Sequence, residues 1–168
     1  MGRRIAIVGA SGTGKTTLAR TLADRLSLPH VELDALHHGP NWTEASPDEL
    51  RTRVSTELAA DGWVIDGNYA SKIGDLVTSQ ADTVVWLDHP LPVVLWRLLR
   101  RTLGRISRRE ELWHGNRETW RNAFVGRESL FAWTIRSHRR FRRATPQGRS
   151  VVRLRSAAEV ECWLAGQR

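Results

Sequence analysis

The stretch Gly9–Thr16 (GASGTGKT) decides the fold of this chain. It matches the pattern GxxxxGK[ST] in full, and it lies between an apolar run at 4–8 (RIAIV) and a helical stretch at 15–26. Glycines allow a chain to wrap around a phosphate with its N–H groups pointing inward, at the positive end of the following helix. The motif therefore predicts a phosphate-binding loop in which Lys15 reaches the β- and γ-phosphates and the Thr16 hydroxyl binds Mg²⁺.

The residues expected against the nucleotide belong to this loop and the first turn of its helix: Gly9, Ser11, Gly12, Thr13, Gly14, Lys15, Thr16 and Thr17. Lys15 is one of only two lysines, with Lys72, in a chain that otherwise uses arginine for positive charge. The lysine ammonium is compact and its side chain is flexible, so it can keep contact with a phosphate group while that group is transferred.

Outside the loop, apolar runs alternate with helical patterns. Four further runs predict strands, at 30–33, 63–66, 83–88 and 150–154. The runs at 63–66 and 83–88 are continuously apolar, which is typical of central parallel strands covered on both faces. We therefore predict an α/β protein of one domain over residues 1–168, with a parallel sheet and right-handed crossovers.

The predicted helices follow these strands. A capping box at Ser46 begins a helix that runs to about residue 60, Pro90 and Pro92 precede another, and Ser156 caps the last. A long helix is expected from about 118 to 143. Residues 104–117 are polar, arginine-rich and aperiodic, which predicts a mobile loop.

The charge is unevenly distributed. There are 26 basic and 18 acidic residues, a net charge of +8; residues 1–95 hold 8 basic and 12 acidic residues, and residues 96–168 hold 18 and 6. A basic half of this kind suggests phosphates, nucleic acid or an acidic membrane surface as a partner.

Composition also excludes some classes of protein. No run approaches the roughly 18 apolar residues that a membrane span needs, and a single cysteine excludes an internal disulfide and a cysteine-based zinc site. That cysteine, Cys162, lies in an apolar segment and is expected to be packed. We expect a cytoplasmic location and no membrane partner.

Three acidic residues follow predicted strands. Asp34, Asp66 and Asp88 come after the second, third and fourth strands, where open α/β sheets place their ligands. No NKxD-like motif is present, which counts against a GTPase, and the chain is short for a motor domain.

Several segments of the chain, taken together, resemble those of a known family. The combination GASGTGKTT, LDAL, WVIDGNY and ADTVVWLDHP, followed by an arginine-rich helix, is similar to the DNA topology modulation proteins. These are small bacterial members of the nucleotide and shikimate kinase superfamily, and the resemblance extends from Arg4 to about Leu164. It implies a five-stranded parallel sheet in the order 2-3-1-4-5, helices on both faces, and a lid at about 101–120 over ATP.

The resemblance also implies roles for two of the acids. Asp66 would hold Mg²⁺ through water, the alternative being a simple Asp-Gly turn. Asp34 resembles the acid after strand two in shikimate- and gluconate-type kinases, where it would accept or orient the proton of an acceptor hydroxyl. The alternative for Asp34 is a cap on the next segment.

The resemblance also implies catalytic roles for two arginines. Arg97 and Arg101 match the arginines at the lid entrance of nucleotide kinases, where they would neutralise charge on the transferring phosphoryl group. Arg105, Arg108 and Arg109 are further candidates, and for any single one of these arginines a solvated helix face is the alternative.

One departure concerns the acceptor. Nucleotide kinases usually follow strand three with Asp-Gly-x-Pro-Arg, whereas this chain has Asp66-Gly67-Asn68-Tyr69. The arginine that would hold an acceptor nucleotide's phosphate is missing, which leaves room for a non-nucleotide acceptor. Asn68 and Tyr69 either contact that acceptor or form a turn.

The loop after Asp34 offers further candidates. His37 and His38 suggest either a metal site or, as the favoured interpretation, part of an acceptor pocket. Trp42 and Trp113, both in polar loops, are candidates for contact with a ligand ring.

The sequence thus predicts an ATP- and Mg²⁺-dependent phosphotransferase of the kinase type, acting on a small hydroxyl or phosphate acceptor. Lys15, Asp34, Arg97 and Arg101 would be catalytic, and Thr16 and Asp66 would hold the metal. The alternative is a nucleic-acid-associated regulatory protein that uses ATP as a switch, which the run 136–143 (RSHRRFRR) suggests. We expect a monomer or a homodimer.

Overall fold

A computed structural model describes residues 2–126, 129–143 and 148–167 of the chain. Its centre is a five-stranded sheet in the order β2-β3-β1-β4-β5. All four pairings are parallel, so the predicted fold class is confirmed. The strands are β1 (Arg4–Gly9), β2 (His30–Glu32), β3 (Trp63–Asp66), β4 (Thr83–Leu87) and β5 (Val151–Leu154).

Helices connect the strands and cover both faces of the sheet. Their bounds are α1 (Lys15–Leu26), α2 (Leu33–His37), α3 (Pro47–Leu58), α4 (Ala70–Ile73), α5 (Leu91–Arg108), α6 (Trp120–Phe124), α7 (Leu130–Arg143) and α8 (Ala157–Ala165). Short 3₁₀ turns lie at Pro40–Trp42 and Trp113–Gly115.

The central strands are apolar throughout because each of their faces packs against helices. On one face Trp63 and Ile65 pack with Leu50 and Val54 of α3. On the other face Ile5, Ile7 and Val64 pack with residues of α1 and α8. Successive strand residues alternate between these clusters, so a continuous apolar run is what a sheet buried on both sides requires. The sheet is therefore a fixed platform for the loops at its carboxyl edge.

The arginine-rich stretch differs from its prediction. Residues 104–108, expected in a mobile loop, continue α5 to Arg108, and Arg109 ends the helix with a left-handed backbone at φ 50°. Leu98 and Thr102 are buried one turn apart on the inner face of α5. This inner face carries the helix past Gly104, because tertiary packing outweighs the modest helix penalty of one glycine.

The prediction of one long helix from 118 to 143 was also wrong. The structure divides it into α6 and α7, separated around Gly126, whose backbone is left-handed at φ 90°. Such a backbone cannot continue a right-handed helix, so the apolar periodicity on either side belongs to two helices.

Smaller differences concern β2 and α8. The second strand ends at Glu32, and Leu33 already begins α2, so Asp34 lies in the first turn of a helix. Cys162 is exposed rather than packed, because α8 turns Val160, Trp163 and Leu164 toward the core instead. Within the described ranges, no helix combines the length and the apolar character that crossing a membrane requires.

Candidate functional site

The phosphate loop connects β1 to α1 at the carboxyl edge of the sheet. Gly12 and Gly14 have left-handed backbones, with φ of 82° and 95°, and a Cβ at Gly12 would lie 2.8 Å from the Val94 carbonyl oxygen. No side chain among the described residues caps the first turn of α1. The N–H groups of that turn, at the positive end of the helix, therefore suit an anion.

Lys15 lies across this loop. Its Nζ donates to the Ala10 carbonyl oxygen at 3.1 Å, and the Thr13 hydroxyl donates to the same oxygen at 2.8 Å. Burial lowers the pKa of Lys15, the carboxylates of Asp34 and Asp66 oppose that shift, and Arg101 adds to it. Four charged side chains from different parts of the chain thus act on one another at the loop.

Thr16 and Asp66 meet beside Lys15. Register pairing of Ile7 with Asp66 brings the end of β3 next to the loop, and the Thr16 hydroxyl donates to Asp66 Oδ1 at 3.1 Å. The other carboxylate oxygen, Oδ2, accepts from His30 Nε2 at 2.8 Å. Sequence reasoning missed His30, because nothing in a short strand indicates which side chain will reach a neighbouring strand's carboxylate.

This pair fits a magnesium ion that is bound together with nucleotide phosphates. Mg²⁺ prefers oxygen ligands, keeps several waters and takes only one or two protein ligands, and the Thr16 hydroxyl and the Asp66 carboxylate supply such oxygens. Among the described residues no group of three or more His, Cys, Asp and Glu side chains could hold a metal by itself. The metal-site interpretation of His37 and His38 is accordingly without support.

Asp34, in the first turn of α2, is held by Tyr69. The Tyr69 hydroxyl donates to Asp34 Oδ1 at 2.7 Å. Burial, and then the charge of Asp34, raise the pKa of Tyr69, so the phenol remains a neutral donor. Gly67, at φ 146°, allows the close approach, since a Cβ there would lie 2.6 Å from Leu33 Cβ. This hydrogen bond to Asp34 is a third role for Tyr69, which neither of the two sequence-based interpretations, acceptor contact or turn, included.

A second cluster lies behind Asp34. The Lys72 ammonium donates to His37 Nε2 at 2.9 Å and to Glu44 Oε2 at 2.6 Å. Burial and the charge of Lys72 lower the pKa of His37, and the hydrogen bond from Lys72 lowers the pKa of Glu44. This network fixes the loop that follows α2, residues 38–46, which we call the acceptor loop.

The two predicted catalytic arginines occupy different places along α5. Arg97 Nη1 donates to the Thr13 carbonyl oxygen at 3.3 Å and to His89 Nδ1 at 2.8 Å, so it lies against the phosphate loop. Arg101 lies 3.7 Å from Glu118 Oε1. Burial lowers the pKa of Arg101, Arg105 adds to the shift, and Glu118 and Asp34 oppose it.

The remaining candidate arginines are divided between pairing and exposure. Arg105 donates to Glu118 Oε1 at 2.8 Å, whereas Arg108 and Arg109 are exposed at the end of α5. Asp88, the third strand-end acid, is paired with Arg142 at 3.1 Å and Arg153 at 2.5 Å.

Residues 109–119, which we call the lid loop, lie against the acceptor loop. Buried Asn116 accepts from the Trp42 N–H at 2.9 Å and donates to the Gly39 carbonyl oxygen at 2.9 Å. Trp113 donates through Nε1 to Glu32 at 3.2 Å, and its ring lies nearly parallel to that of His38, with centroids 6.2 Å apart. Trp42 and Trp113 thus contact the same histidine from two loops.

A phosphate loop, a Thr–Asp pair and a strand order of 2-3-1-4-5 define a P-loop nucleotide-binding protein of the kinase-like topology. The model of the ATPase family associated with various cellular activities (AAA) matches residues 5–89. This match spans half of the chain, and the chain belongs to this family.

Relatives and solved structures agree with this class. YqaC of Bacillus subtilis is 30% identical over 133 residues, 78% of this chain and 74% of YqaC. The shikimate kinase of Synechococcus elongatus is 26% identical over 137 residues, 70% of this chain and 72% of that enzyme. The shikimate kinase of Acinetobacter baumannii, solved in complex with shikimate, superposes with a TM-score of 0.60 at 16% identity, covering 96% of this chain and 89% of that one. The narrower resemblance to the DNA topology modulation proteins stays a prediction.

Proposed function

We propose that this protein transfers the γ-phosphoryl group of ATP to a hydroxyl group of a small acceptor molecule. The observation that carries the proposal is the geometry of the phosphate loop: Lys15 Nζ lies 3.1 Å from the Ala10 carbonyl oxygen, and the Thr16 hydroxyl lies 3.1 Å from Asp66 Oδ1 at the end of the adjacent strand. The kinase names of several relatives and structural neighbours support the same reaction class.

Lys15 and the N–H groups of the loop would hold the phosphates of ATP, and Thr16 and Asp66 would hold Mg²⁺. When bound, Mg·ATP supplies the transferable phosphoryl group, and the metal neutralises charge on the phosphate oxygens. The position of Lys15 supports this task, because the one hydrogen bond of its ammonium among the described residues goes to the neutral Ala10 carbonyl oxygen. A phosphate is a stronger partner for that ammonium than a carbonyl oxygen.

Asp34 would accept or orient the proton of the acceptor hydroxyl. The Tyr69 hydroxyl engages Oδ1, which fixes the plane of the carboxylate and leaves Oδ2 for the acceptor. A base held in one orientation avoids the entropy cost of ordering it during the reaction. Tyr69 is therefore a positioning residue that acts through Asp34.

Arg97 and Arg101 would act on the phosphoryl group from α5. Arg97 is fixed to the phosphate loop through the Thr13 carbonyl, and Arg101 interacts electrostatically with both Lys15 and Asp34. Arginines preorganised in this way stabilise charge in the transition state. The lid loop would exclude water, which otherwise competes with the acceptor for the phosphoryl group.

The reaction is tested by incubating the protein with Mg·ATP and a panel of nucleosides, nucleoside monophosphates, sugars and small alcohols, with and without DNA. We expect release of ADP to depend on an acceptor and to yield a phosphorylated product detectable by mass spectrometry. Stimulation by DNA alone, without such a product, would overturn the proposal and favour the regulatory alternative.

The assignment of the nucleotide site is tested separately by binding. Lys15→Ala should lower ATP affinity by about tenfold or more, because it removes a charge-assisted bond to phosphate. Lys72→Ala is the matched control, since it removes the only other lysine and its ammonium bonds His37 and Glu44. Equal ATP affinity for Lys15→Ala and the unmodified protein would contradict the site.

A further inference from the structure

Asp66 is a buried carboxylate that is held by a hydrogen bond at each of its two oxygens. Its side chain is 4% exposed. The Thr16 hydroxyl donates to Oδ1 at 3.1 Å, and His30 Nε2 donates to Oδ2 at 2.8 Å. A buried charge is costly unless it is hydrogen-bonded, and a bond at each oxygen restricts rotation of the carboxylate about its Cβ–Cγ bond. Thr16 and His30 together therefore set the orientation of Asp66.

The sheet places His30 on the same side as the helix of the phosphate loop. In the parallel register His30 is paired with Val64, two residues before Asp66, and residues two apart on a strand share a face. Val64 packs in the cluster that α1 covers, and Thr16 lies in the first turn of α1. The side chains of His30, Asp66 and Thr16 thus meet between the sheet and α1.

The strand that carries His30 is joined to α1 by a second polar side chain. β2 has three residues and lies at the edge of the sheet. Two residues after His30, Glu32 accepts from Arg20 Nη2 of α1 at 2.5 Å and from Trp113 Nε1 of the lid loop at 3.2 Å. These contacts hold the short strand beside α1, so the imidazole of His30 is kept within reach of Asp66.

The contacts of His30 separate its role from that of a metal ligand. Its Nε2 is engaged by Asp66, and Mg²⁺ prefers oxygen ligands. Asp66 Oδ1 accepts one hydrogen from Thr16, and a carboxylate oxygen and a hydroxyl oxygen each have two lone pairs. The oxygens with lone pairs to offer a metal are thus Oδ1 and the Thr16 hydroxyl, while His30 holds the other oxygen of the carboxylate.

We infer that His30 is a positioning residue that acts through Asp66. By bonding Oδ2, the imidazole keeps Oδ1 beside the Thr16 hydroxyl, so that both oxygens are in place for Mg²⁺ before ATP binds. Groups that orient metal ligands in this way typically contribute about tenfold or more to metal affinity. This inference rests on the proposed phosphotransfer, and it gives a residue outside the phosphate loop a share in the affinity for Mg·ATP.

The inference is tested by measuring ATP affinity with Mg²⁺ and with EDTA in two variants of His30. His30→Leu fills the space without a donor, whereas the matched variant His30→Gln has an amide N–H that can donate to Asp66 Oδ2. We expect His30→Leu to lower the affinity for Mg·ATP about tenfold. Its affinity for magnesium-free ATP should stay unchanged, because the phosphate loop is intact, and His30→Gln should restore most of the loss.

A purely structural role for His30 predicts a different pattern. Damage to the sheet or to the phosphate loop would lower the affinity of His30→Leu for ATP equally with and without Mg²⁺, and that result would overturn the inference. Equal Mg·ATP affinity in His30→Leu and the unmodified protein would overturn it as well. Failure of His30→Gln to bind Mg·ATP better than His30→Leu would show that the hydrogen bond is not what matters.

A double-mutant cycle tests whether His30 acts through Asp66. In the Asp66→Asn background, His30→Leu should change Mg·ATP affinity little further, because the effects of two residues in direct contact are not additive. A full tenfold loss in that background would overturn the inference.

The same measurements distinguish this inference from the proposed function. If the binding pattern is as expected but no acceptor yields a phosphorylated product, the phosphotransfer is overturned and the role of His30 in Mg·ATP binding stands. If the unmodified protein binds ATP equally with and without Mg²⁺, both the role of His30 and the assignment of the metal to Thr16 and Asp66 are overturned.

Discussion

Two loops that border the site share one architecture, although their sequences differ. In the acceptor loop an isolated antiparallel bridge joins His38 to Glu44, and in the lid loop an equivalent bridge joins Glu111 to Arg117. Each pair lies six residues apart and encloses a 3₁₀ turn that contains a left-handed residue. Each loop then ends in a capping box, at Ser46 and at Thr119, from which a helix begins.

The helices that follow the two loops differ greatly in burial. The acceptor loop leads into α3, which anchors Leu50, Val54 and Leu58 in the core. The lid loop leads into α6, a helix of five residues in which Trp120 is 59% exposed, followed by Val125 at 65%. The same loop architecture thus leads into a helix with three buried core residues in one case, and in the other into a short helix in which Ala123 is the buried residue.

This difference separates two tasks within one site. The acceptor loop has its geometry determined by the sheet and α3, as binding residues require. The lid loop depends on contacts to the acceptor loop itself, chiefly through Asn116 and Trp113. Segments with few buried contacts open at low free energy, so the lid loop is the part suited to admit and release ligands.

The largest expected effect comes from a residue next to the acceptor loop, Asp34. Asp34→Asn should lower the rate of phosphoryl transfer by about a thousandfold, because it removes the proposed general base, while ATP affinity stays close to that of the unmodified protein. Single-turnover kinetics and ATP binding measure the two quantities. Asp75→Asn, a change at an exposed acid, is the control, and equal rates for the two variants would remove Asp34 from catalysis.

Stability should differ between the helices that follow the loops. Leu50→Ala should lower the free energy of unfolding by about 3 kcal/mol, since it leaves a cavity in the core. Val125→Ala should change it by about 0.5 kcal/mol or less, because that side chain is exposed. Denaturant unfolding of both variants measures the difference, and similar losses would show that the end of α6 is as well anchored as α3.

Asn116 should control closure of the lid loop rather than overall stability. Asn116→Ala removes two hydrogen bonds to the acceptor loop, so we expect hydrogen exchange in residues 109–119 to accelerate about tenfold. ATP hydrolysis without an acceptor should rise as water enters. Asn116→Asp places a second carboxylate oxygen against the Gly39 carbonyl oxygen and should accelerate exchange at least as much. Unchanged exchange in both variants would mean that other contacts hold the lid loop.

The smallest effect concerns pH. Burial and Lys72 lower the pKa of His37 in the folded protein, so the unfolded chain binds its proton first and stability falls as the pH drops below about 6.5. In His37→Gln the unfolding midpoint should fall less between pH 7.5 and 5.5 than in the unmodified protein. Part of the fall should remain, because burial also lowers the pKa of His89. His114→Gln, an exposed change in the lid loop, should leave the slope unaltered, and an unaltered slope in His37→Gln would contradict the role of His37.

Much of the sheet and the phosphate loop could be predicted from local sequence. The phosphate loop combines glycines, a lysine and a threonine at invariable spacing, and the central strands are apolar at every position because both faces are covered. Asp34 and Asp66 were expected at the carboxyl edge because each follows an apolar run. The bounds of α5 and the break at Gly126 were not predicted, because helix ends depend on packing as well as on local preference.

Most partners within the site could not be predicted in the same way. His30 and Asp66 are 36 residues apart, Tyr69 and Asp34 are 35 apart, and Asn116 lies 77 residues from Gly39. Crossover connections bring these residues together, and no local pattern records which of them will meet. The paired loops are also invisible in the sequence, since their likeness lies in backbone conformation.

The amino-acid sequence by itself determined the central strands, the phosphate loop and the excess of arginine after residue 95. These depend on short-range spacing and on composition. Only the tertiary structure decided how that arginine is used: Arg97 lies on the phosphate loop, Arg101 and Arg105 face Glu118, and Arg142 and Arg153 face Asp88. The physical reason is that a charge acquires its role from the partner that folding places within a few ångströms, and composition counts charges without their partners.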